Sequence, residues 1–192
     1  MTPLGDGALR LDLPPDVDRR ATLAVLRALP GVADAWLTEQ HACVRFDTPE
    51  PPDGLPAALF AGGERVAGPL RVVRVRYDGP DLPRVAQLSG LSVAEVIALH
   101  TGRAYDVRFL GFLPGFAYFG DVDPRIAVPR LPTPRTRVPP HAVAIAGTRA
   151  CVYPFACPGG WNLLGTALDF SPFRPDLGVA LQVGDRVRFE SA

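Results

Sequence analysis

Apolar and polar residues alternate through ALRLDL, Ala8 to Leu13, the two-residue period of a strand with one buried face. Asp16 or Asp18 can cap the helix that follows. There Ala21, Leu23, Leu26 and Leu29 fall near helical spacing, and Pro30-Gly31 ends the run. VADAWL and ACVRF read as two strands flanking Thr38 to His41, a hairpin. After the breaker-rich TPEPPDG, a short helix fits LPAALFAGG. From Leu70, LRVVRVRY alternates apolar residues with Arg, as a strand with one wet face does. The order strand, helix, hairpin, helix, strand predicts a split βαβ, ferredoxin-like α/β domain over residues 1–80.

Asp78-Gly79-Pro80 marks a boundary, and Asp81 is placed to cap a helix through LPRVAQLSG. A second helix opens at Ser92 with Glu95 three residues on, a capping box, and runs to Thr101-Gly102. The pair has the outline of a DNA-binding helix-turn-helix. A recognition helix needs side chains that reach bases and phosphates, whereas this one offers Ser, Glu and a terminal His. Residues 81–103 are therefore read as a packed helical hairpin bridging two domains. From Ala104 the pattern changes to short strands separated by Gly- and Pro-rich turns: YDVRFLG, HAVAIAG, ACVYPF, WNLLGTALDF and DRVRFE. Such spacing predicts a closed barrel or sandwich of about 90 residues, 104–192. The fold class expected is α+β.

Composition sharpens this in several ways. The 22 Pro favour short strands and rigid turns over continuous helix. Formal net charge is zero, so nothing marks a nucleic-acid or anionic-membrane partner. All 20 basic residues are Arg, so these 192 residues contain no Schiff-base, biotinyl or phosphate-loop lysine. Cys43, Cys151 and Cys157 include no close pair resembling a zinc half-site. The opening MTPLGDGALRLDL lacks a basic segment followed by an apolar run, and no apolar stretch approaches membrane-spanning length. The expectation is a reduced, soluble, cytoplasmic protein.

Three clusters carry candidate chemistry. FLGFLPGFAYFGDVDP, from Phe109 to Pro124, places four Phe and one Tyr among Gly and Pro. It suits a stiff core turn, a ligand wall or a partner surface. PTPRTRVPP, from Pro132 to Pro140, is a stiff extended segment. Alternation would put Arg135 and Arg137 on one face, with Thr136 on the other. Paired guanidiniums suit a carboxylate or phosphate, though two surface arginines on an edge fit equally. In CPGGWNLLG, two glycines before Trp161 let backbone approach a ligand beside an indole wall, or simply make a tight turn. His100, at a helix end where the dipole favours its cation, is a candidate acid or base or merely a cap. No metal-ligand spacing, Gly-rich phosphate loop or nucleophile elbow is present.

GFLPGFAYFGDVDPRIAVPR, TPRTRVP, AIAG, VYPFACPGGWNLLG and VGDRVRF, in this order, together resemble the family of bacterial 5-oxoprolinase B subunits (PxpB). That family also includes the KipI sporulation-kinase inhibitors and the allophanate hydrolase subunit 1 domain. The resemblance is close from Tyr77 to Phe189 and looser upstream. It implies an N-terminal α/β domain and a C-terminal cyclophilin-like β-barrel. It further implies a complex with two other chains, one PxpA-like and one PxpC-like. Such a complex opens 5-oxo-L-proline to L-glutamate with ATP as co-substrate and no metal or prosthetic group, this chain being inactive alone.

At the matching positions, residue type suggests His100, Arg135 and Arg137 for the chemistry. Gly111, Phe112, Pro114, Gly115, Phe116, Thr136, Arg149, Pro158, Gly159, Gly160 and Trp161 are the candidates for holding substrate. The chain departs from its relatives in several places. VPPHAVAIAG stands where they read VPAGSVGIAG, which puts His141 and Ala142 at a Gly-Ser pair. Arg149-Ala150-Cys151 replaces a Gln-Thr-Gly run, and Gly165-Thr166-Ala167 replaces GRT. These changes suggest an altered pocket in which Arg149 replaces a lost cation, or weakened catalysis. Two other functions fit the family: a KipI-like inhibitor of a sensor histidine kinase, and a carboxyltransferase subunit of a urea carboxylase/allophanate hydrolase-type biotin-dependent system. If Arg135 serves only the ligand, Arg135→Ala leaves the melting temperature nearly unchanged.

Overall fold

The alternation at the start of the chain becomes an antiparallel sheet with one helix. The computed structural model describes residues 2–48, 60 and 67–192, and the chain divides into two units, Met1–Ala67 and Gly68–Ala192. In the first unit, β1 (Thr2–Pro3) pairs with β2 (Ala8–Asp12). Helix α1 (Arg19–Arg27) follows, then the hairpin β3 (Val32–Leu37) and β4 (His41–Phe46), giving the order β1-β2-β4-β3. Asp18 caps α1, its side chain accepting from the Ala21 amide at 2.9 Å. The buried face of α1 carries Arg19, Thr22 and Leu26. Buried Arg19 donates its Nη1 and Nη2 to the carbonyls of Thr38 and Glu39 at 2.8 and 2.6 Å. The helix expected in LPAALFAGG falls within residues 49–66, of which only Phe60 is described.

The second unit begins with β5 (Leu70–Arg76), helices α2 (Leu82–Ser89) and α3 (Val93–Thr101), and strands β6 (Ala104–Leu110) and β7 (Ala117–Phe119). It continues through β8 (Arg135–Val138), β9 (Ala142–Ala146), β10 (Arg149–Val152), β11 (Cys157–Gly159) and β12 (Asn162–Ala167). The last strands are β13 (Phe173–Arg174), β14 (Gly178–Val179) and β15 (Arg186–Ser191). Seven of these close a barrel in the order β10-β7-β6-β15-β5-β12-β9, consistent with the cyclophilin-like barrel expected. β8 and β11 form a separate ribbon, as do β13 and β14.

This corrects the division at residue 80. LRVVRVR is a strand, but it pairs in parallel with β15, Leu70 opposite Arg186 through Val75 opposite Ser191. It is a barrel stave and not the last strand of a ferredoxin-like domain. The helical hairpin is likewise part of the second unit. Ser92 and Glu95 form the expected capping box, and Gly90 ends α2 in the left-handed region. Leu82, Val85, Ala86 and Val96 bury into the barrel's own core, so the hairpin packs onto the barrel.

β9 is buried along its whole length, AVAIA, and alternation assigns its two faces to different clusters. Val143 and Ile145 join Val73, Val75, Val107, Phe119, Leu164, Val187 and Phe189, the barrel interior. Ala142, Ala144 and Ala146 instead meet Phe116, Val138, Cys151, Tyr153, Trp161 and Leu163 on the outside of the wall. The second cluster exists because those outward positions are small.

The turn into β9 places His141 at φ 63°, a left-handed conformation in which an L side chain is strained. Its backbone is held there by the Tyr153 carbonyl, to which its amide donates at 2.7 Å, and by the Ala167 amide, which donates to its carbonyl at 2.9 Å. This is the position where the resembling sequences read Gly. His141→Gly is expected to raise stability by about 0.5–1 kcal/mol in denaturant unfolding. An unchanged or lower midpoint would show that the strain is relieved elsewhere.

Candidate functional site

The outward aromatic cluster leaves a pocket of about 350 Å³ against the barrel wall. Phe116 is its hub. The Phe112, Tyr118, Tyr153 and Trp161 rings meet it nearly edge-on, with centroids 5.4, 5.0, 5.3 and 5.8 Å away and interplanar angles of 62–90°. Edge-to-face packing satisfies ring quadrupoles and fixes the rings as rigid walls. Gly111 to Phe116 form the tight turn between β6 and β7. The Gly111 amide donates to the Phe116 carbonyl at 3.1 Å, and the Phe116 amide donates to the Leu113 carbonyl at 2.9 Å. Gly115 at φ 79° is required, since a Cβ there would lie 2.7 Å from the Pro172 carbonyl oxygen. Phe112 adopts φ 72° and stays 63% exposed at the pocket rim. An aromatic residue held left-handed and exposed is a local strain of the kind that gathers at binding sites.

The opposite wall is the Cys157–Trp161 segment. At Gly159 any Cβ would overlap the Tyr153 hydroxyl, so glycine there lets the phenol fill its slot. Burial raises the pKa of the Tyr153 phenol, with Cys151 and Cys157 adding to the effect. Burial likewise raises that of Tyr118, an effect to which Cys151 adds and which Arg130 opposes. Both phenols are neutral donors at physiological pH. Pro134 and Pro158 complete the wall, and Arg130 brings the pocket's formal charge.

Six of the predicted substrate-binding residues line this pocket: Phe112, Phe116, Pro158, Gly159, Gly160 and Trp161. Gly111 and Pro114 are exposed in the supporting turn, and Gly115 is buried beneath it. Tyr118, Arg130, Pro134 and Tyr153 were missed, although Tyr118 lies inside the aromatic-dense stretch and Arg130 ends the first of the resembling strings.

The predicted chemical residues lie elsewhere. His100 is fully buried in the barrel interior, stacked on Phe189 at 4.5 Å, with Nδ1 2.7 Å from the Tyr77 hydroxyl. Desolvation lowers its pKa to about 3, the reverse of the helix-dipole expectation, because burial outweighs a partial charge at the helix end. Neither Arg135 nor Arg137 lines the pocket. Arg135 is 28% exposed and turns onto Asp81, its Nη2 donating to Oδ1 at 2.6 Å. The other oxygen, Asp81 Oδ2, accepts from the Leu163 amide at 2.7 Å. Arg137 and Thr136 are exposed. Arg149 pairs with Asp121, outside the pocket lining, so it does not replace a pocket cation.

The departures from relatives also fall outside the lining. Ala142 and Cys151 are buried behind the aromatic layer, Ala150 lies in the barrel interior, and Thr166 donates to Asp78 at 3.2 Å. Among the described residues no group of three His, Cys, Asp or Glu side chains comes within reach of a shared metal ion, and no single helix is long and apolar enough to cross a membrane.

The family model described as carboxyltransferase domain, subdomain C and D, matches residues 1–177. The chain belongs to this family. It is 45% identical over 113 residues to the 5-oxoprolinase B subunit of Bacillus subtilis, covering 58% of this chain and 47% of that protein. To the 5-oxoprolinase B subunit of Escherichia coli O157:H7 it is 48% identical over 113 residues, covering 58% and 51%. These matches span about half the length of the curated relatives. Among solved structures, TTHA0988 superposes with a TM-score of 0.81 at 39% identity, covering 96% of this chain and 40% of that one. A conserved uncharacterized protein from Pyrococcus horikoshii superposes at 0.61 and 31%, covering 99% and 96%. The Kluyveromyces lactis urea amidolyase, at 16% identity and 0.72 over 96% of this chain and 14% of that one, shares the fold.

Two variants test the reassigned residues. Arg135→Ala should lower unfolding stability by roughly 2–4 kcal/mol, because it strands a buried carboxylate; an unchanged melting temperature would return Arg135 to the ligand-binding candidates. For His100 the folded pKa lies below the unfolded 6.5, so the unfolded state binds the extra proton. Stability is therefore undiminished above pH 6.5 and falls as pH drops from 6.5 toward 3, by up to ~1.4 kcal/mol per unit. His100→Phe should flatten the stability curve between pH 6.5 and 4.5. A wild-type slope retained in that variant would place the proton elsewhere.

Proposed function

We propose that this chain is the B component of an ATP-dependent 5-oxoprolinase, supplying the binding wall for the lactam ring of 5-oxo-L-proline. Similarity to curated B components at 45–48% identity carries the reading. The pocket supports it, because about 350 Å³ bounded by rigid aromatic edges suits a small flat ring. Phe116 and Trp161 form the apolar walls, Gly159 and Gly160 let the backbone approach, and the neutral phenols of Tyr118 and Tyr153 offer hydrogen bonds.

Opening the ring adds one water across the lactam C–N bond, driven by ATP. The described residues of this chain bring neither a lysine nor an accessible histidine to the pocket. Nucleotide binding and the attack on the carbonyl are therefore assigned to the PxpA-like and PxpC-like partners. The complex works in the cytoplasm, in keeping with three free, buried thiols.

The test is co-expression with the PxpA-like and PxpC-like chains from the same genome, followed by assay of glutamate release from 5-oxo-L-proline. Release that needs ATP and all three chains is the expected result. An intact, folded complex with no release above background would sink the assignment.

A further inference from the structure

Arg130 is a charge on a clamped backbone. On one side, the Pro129 carbonyl accepts from Asn162 Nδ2 at 3.0 Å. Asn162 is itself fully buried; it donates also to the Ile145 carbonyl at 3.2 Å and accepts from Arg84 at 2.5 Å. On the other side, the Leu131 amide donates to the Gly160 carbonyl at 2.8 Å. One residue further back, the Val128 carbonyl accepts from the Gly147 amide at 2.8 Å. The segment is thus tied to β12, to β9 and to the glycine pair of the pocket wall.

The Arg130 side chain itself is exposed and lines the pocket, and no hydrogen bond or ion pair joins it to an acidic side chain among the described residues. Its neighbours behave differently. Arg135 is neutralised by Asp81, Arg149 by Asp121 and Arg125 by Asp123. A guanidinium whose main chain is anchored on both sides, beside an aromatic cleft, is pre-organised for an anion that arrives with the ligand.

We infer that Arg130 is the specificity residue of this pocket, holding the carboxylate of a small cyclic acid whose ring lies against Phe116 and Trp161. The inference rests on the pocket being the substrate site. It adds which residue reads the carboxylate, and that neutral rings of the same shape are discriminated against by an unpaired Arg130. A planar fork matches a carboxylate in two parallel hydrogen bonds. The apolar walls supply contact area without regard to charge.

The experiment compares 5-oxo-L-proline with its neutral carboxamide, measuring Kd by titration NMR on the wild-type chain, Arg130→Gln and the control Arg137→Gln. Wild type and the control should bind the acid at least tenfold more tightly than the amide. Arg130→Gln should weaken the acid by roughly 10- to 100-fold and leave the amide within twofold. Retained preference for the acid in Arg130→Gln overturns the inference while the pocket reading stands. Equal weakening of both ligands also overturns it, since Arg130 would then shape the pocket without reading charge. If wild type binds neither probe, the pocket reading itself fails and the inference falls with it.

Discussion

The outer site depends on one strand having two incompatible jobs. β9 must face Val143 and Ile145 into the barrel, where they share a core with all the other staves, and must also present a floor to the aromatic layer outside. Large side chains on both faces would force the two layers apart, because packed interiors tolerate little extra volume. Alanine at 142, 144 and 146 resolves the conflict. The rings of Phe116, Tyr153 and Trp161 can lie close to the wall, and the pocket is the gap their edge-to-face geometry leaves.

Polar staples then hold the covering strap in place. Asp81, at the start of α2, accepts from Arg135 on the β8 ribbon and from the Leu163 amide on β12. Asn162 joins Arg84, Pro129 and Ile145. Each is a buried group whose partners come from distant parts of the chain, so helical hairpin, proline-rich segment and barrel wall are fixed as one body. Buried and satisfied, such groups specify an arrangement more than they add stability. The proline-rich strap needs them, since prolines donate no backbone hydrogen bonds of their own.

Much of this was legible locally. The capping box at Ser92, the hairpin at Thr38 and the short strands after Ala104 are written in neighbouring residues, and they stand as read. The alternation from Leu70 announces a strand but cannot say which sheet receives it, because the deciding partner lies more than a hundred residues away. His100 shows the same limit, since a helix-end position says nothing about what covers it. Arg135 and Arg137 stay out of the pocket lining for another reason. Alternation assumes a regular ladder, and β8 pairs with β11 through a register shift, with a carboxylate waiting beneath. The Gly-Gly-Trp turn and Phe112–Phe116 meet at one pocket because tight backbone and clustered aromatics admit few arrangements. Arg130 was passed over since a lone Arg after Val-Pro carries no local signature; its place in the pocket comes from a hydrogen bond to the backbone of each flanking residue.

The parallel seam between β5 and β15 carries a consequence for how the molecule is made. These staves are neighbours in space, yet one is synthesised near the beginning of the unit and the other after every other stave. Until Arg186–Ser191 emerges from the ribosome, β5 and β6 each present a raw edge, the kind of surface that recruits other strands. The barrel therefore has a zip whose slider is its last-made strand. The aromatic layer outside, built on β9, β10 and β12, can form on staves already paired with one another before that zip is drawn.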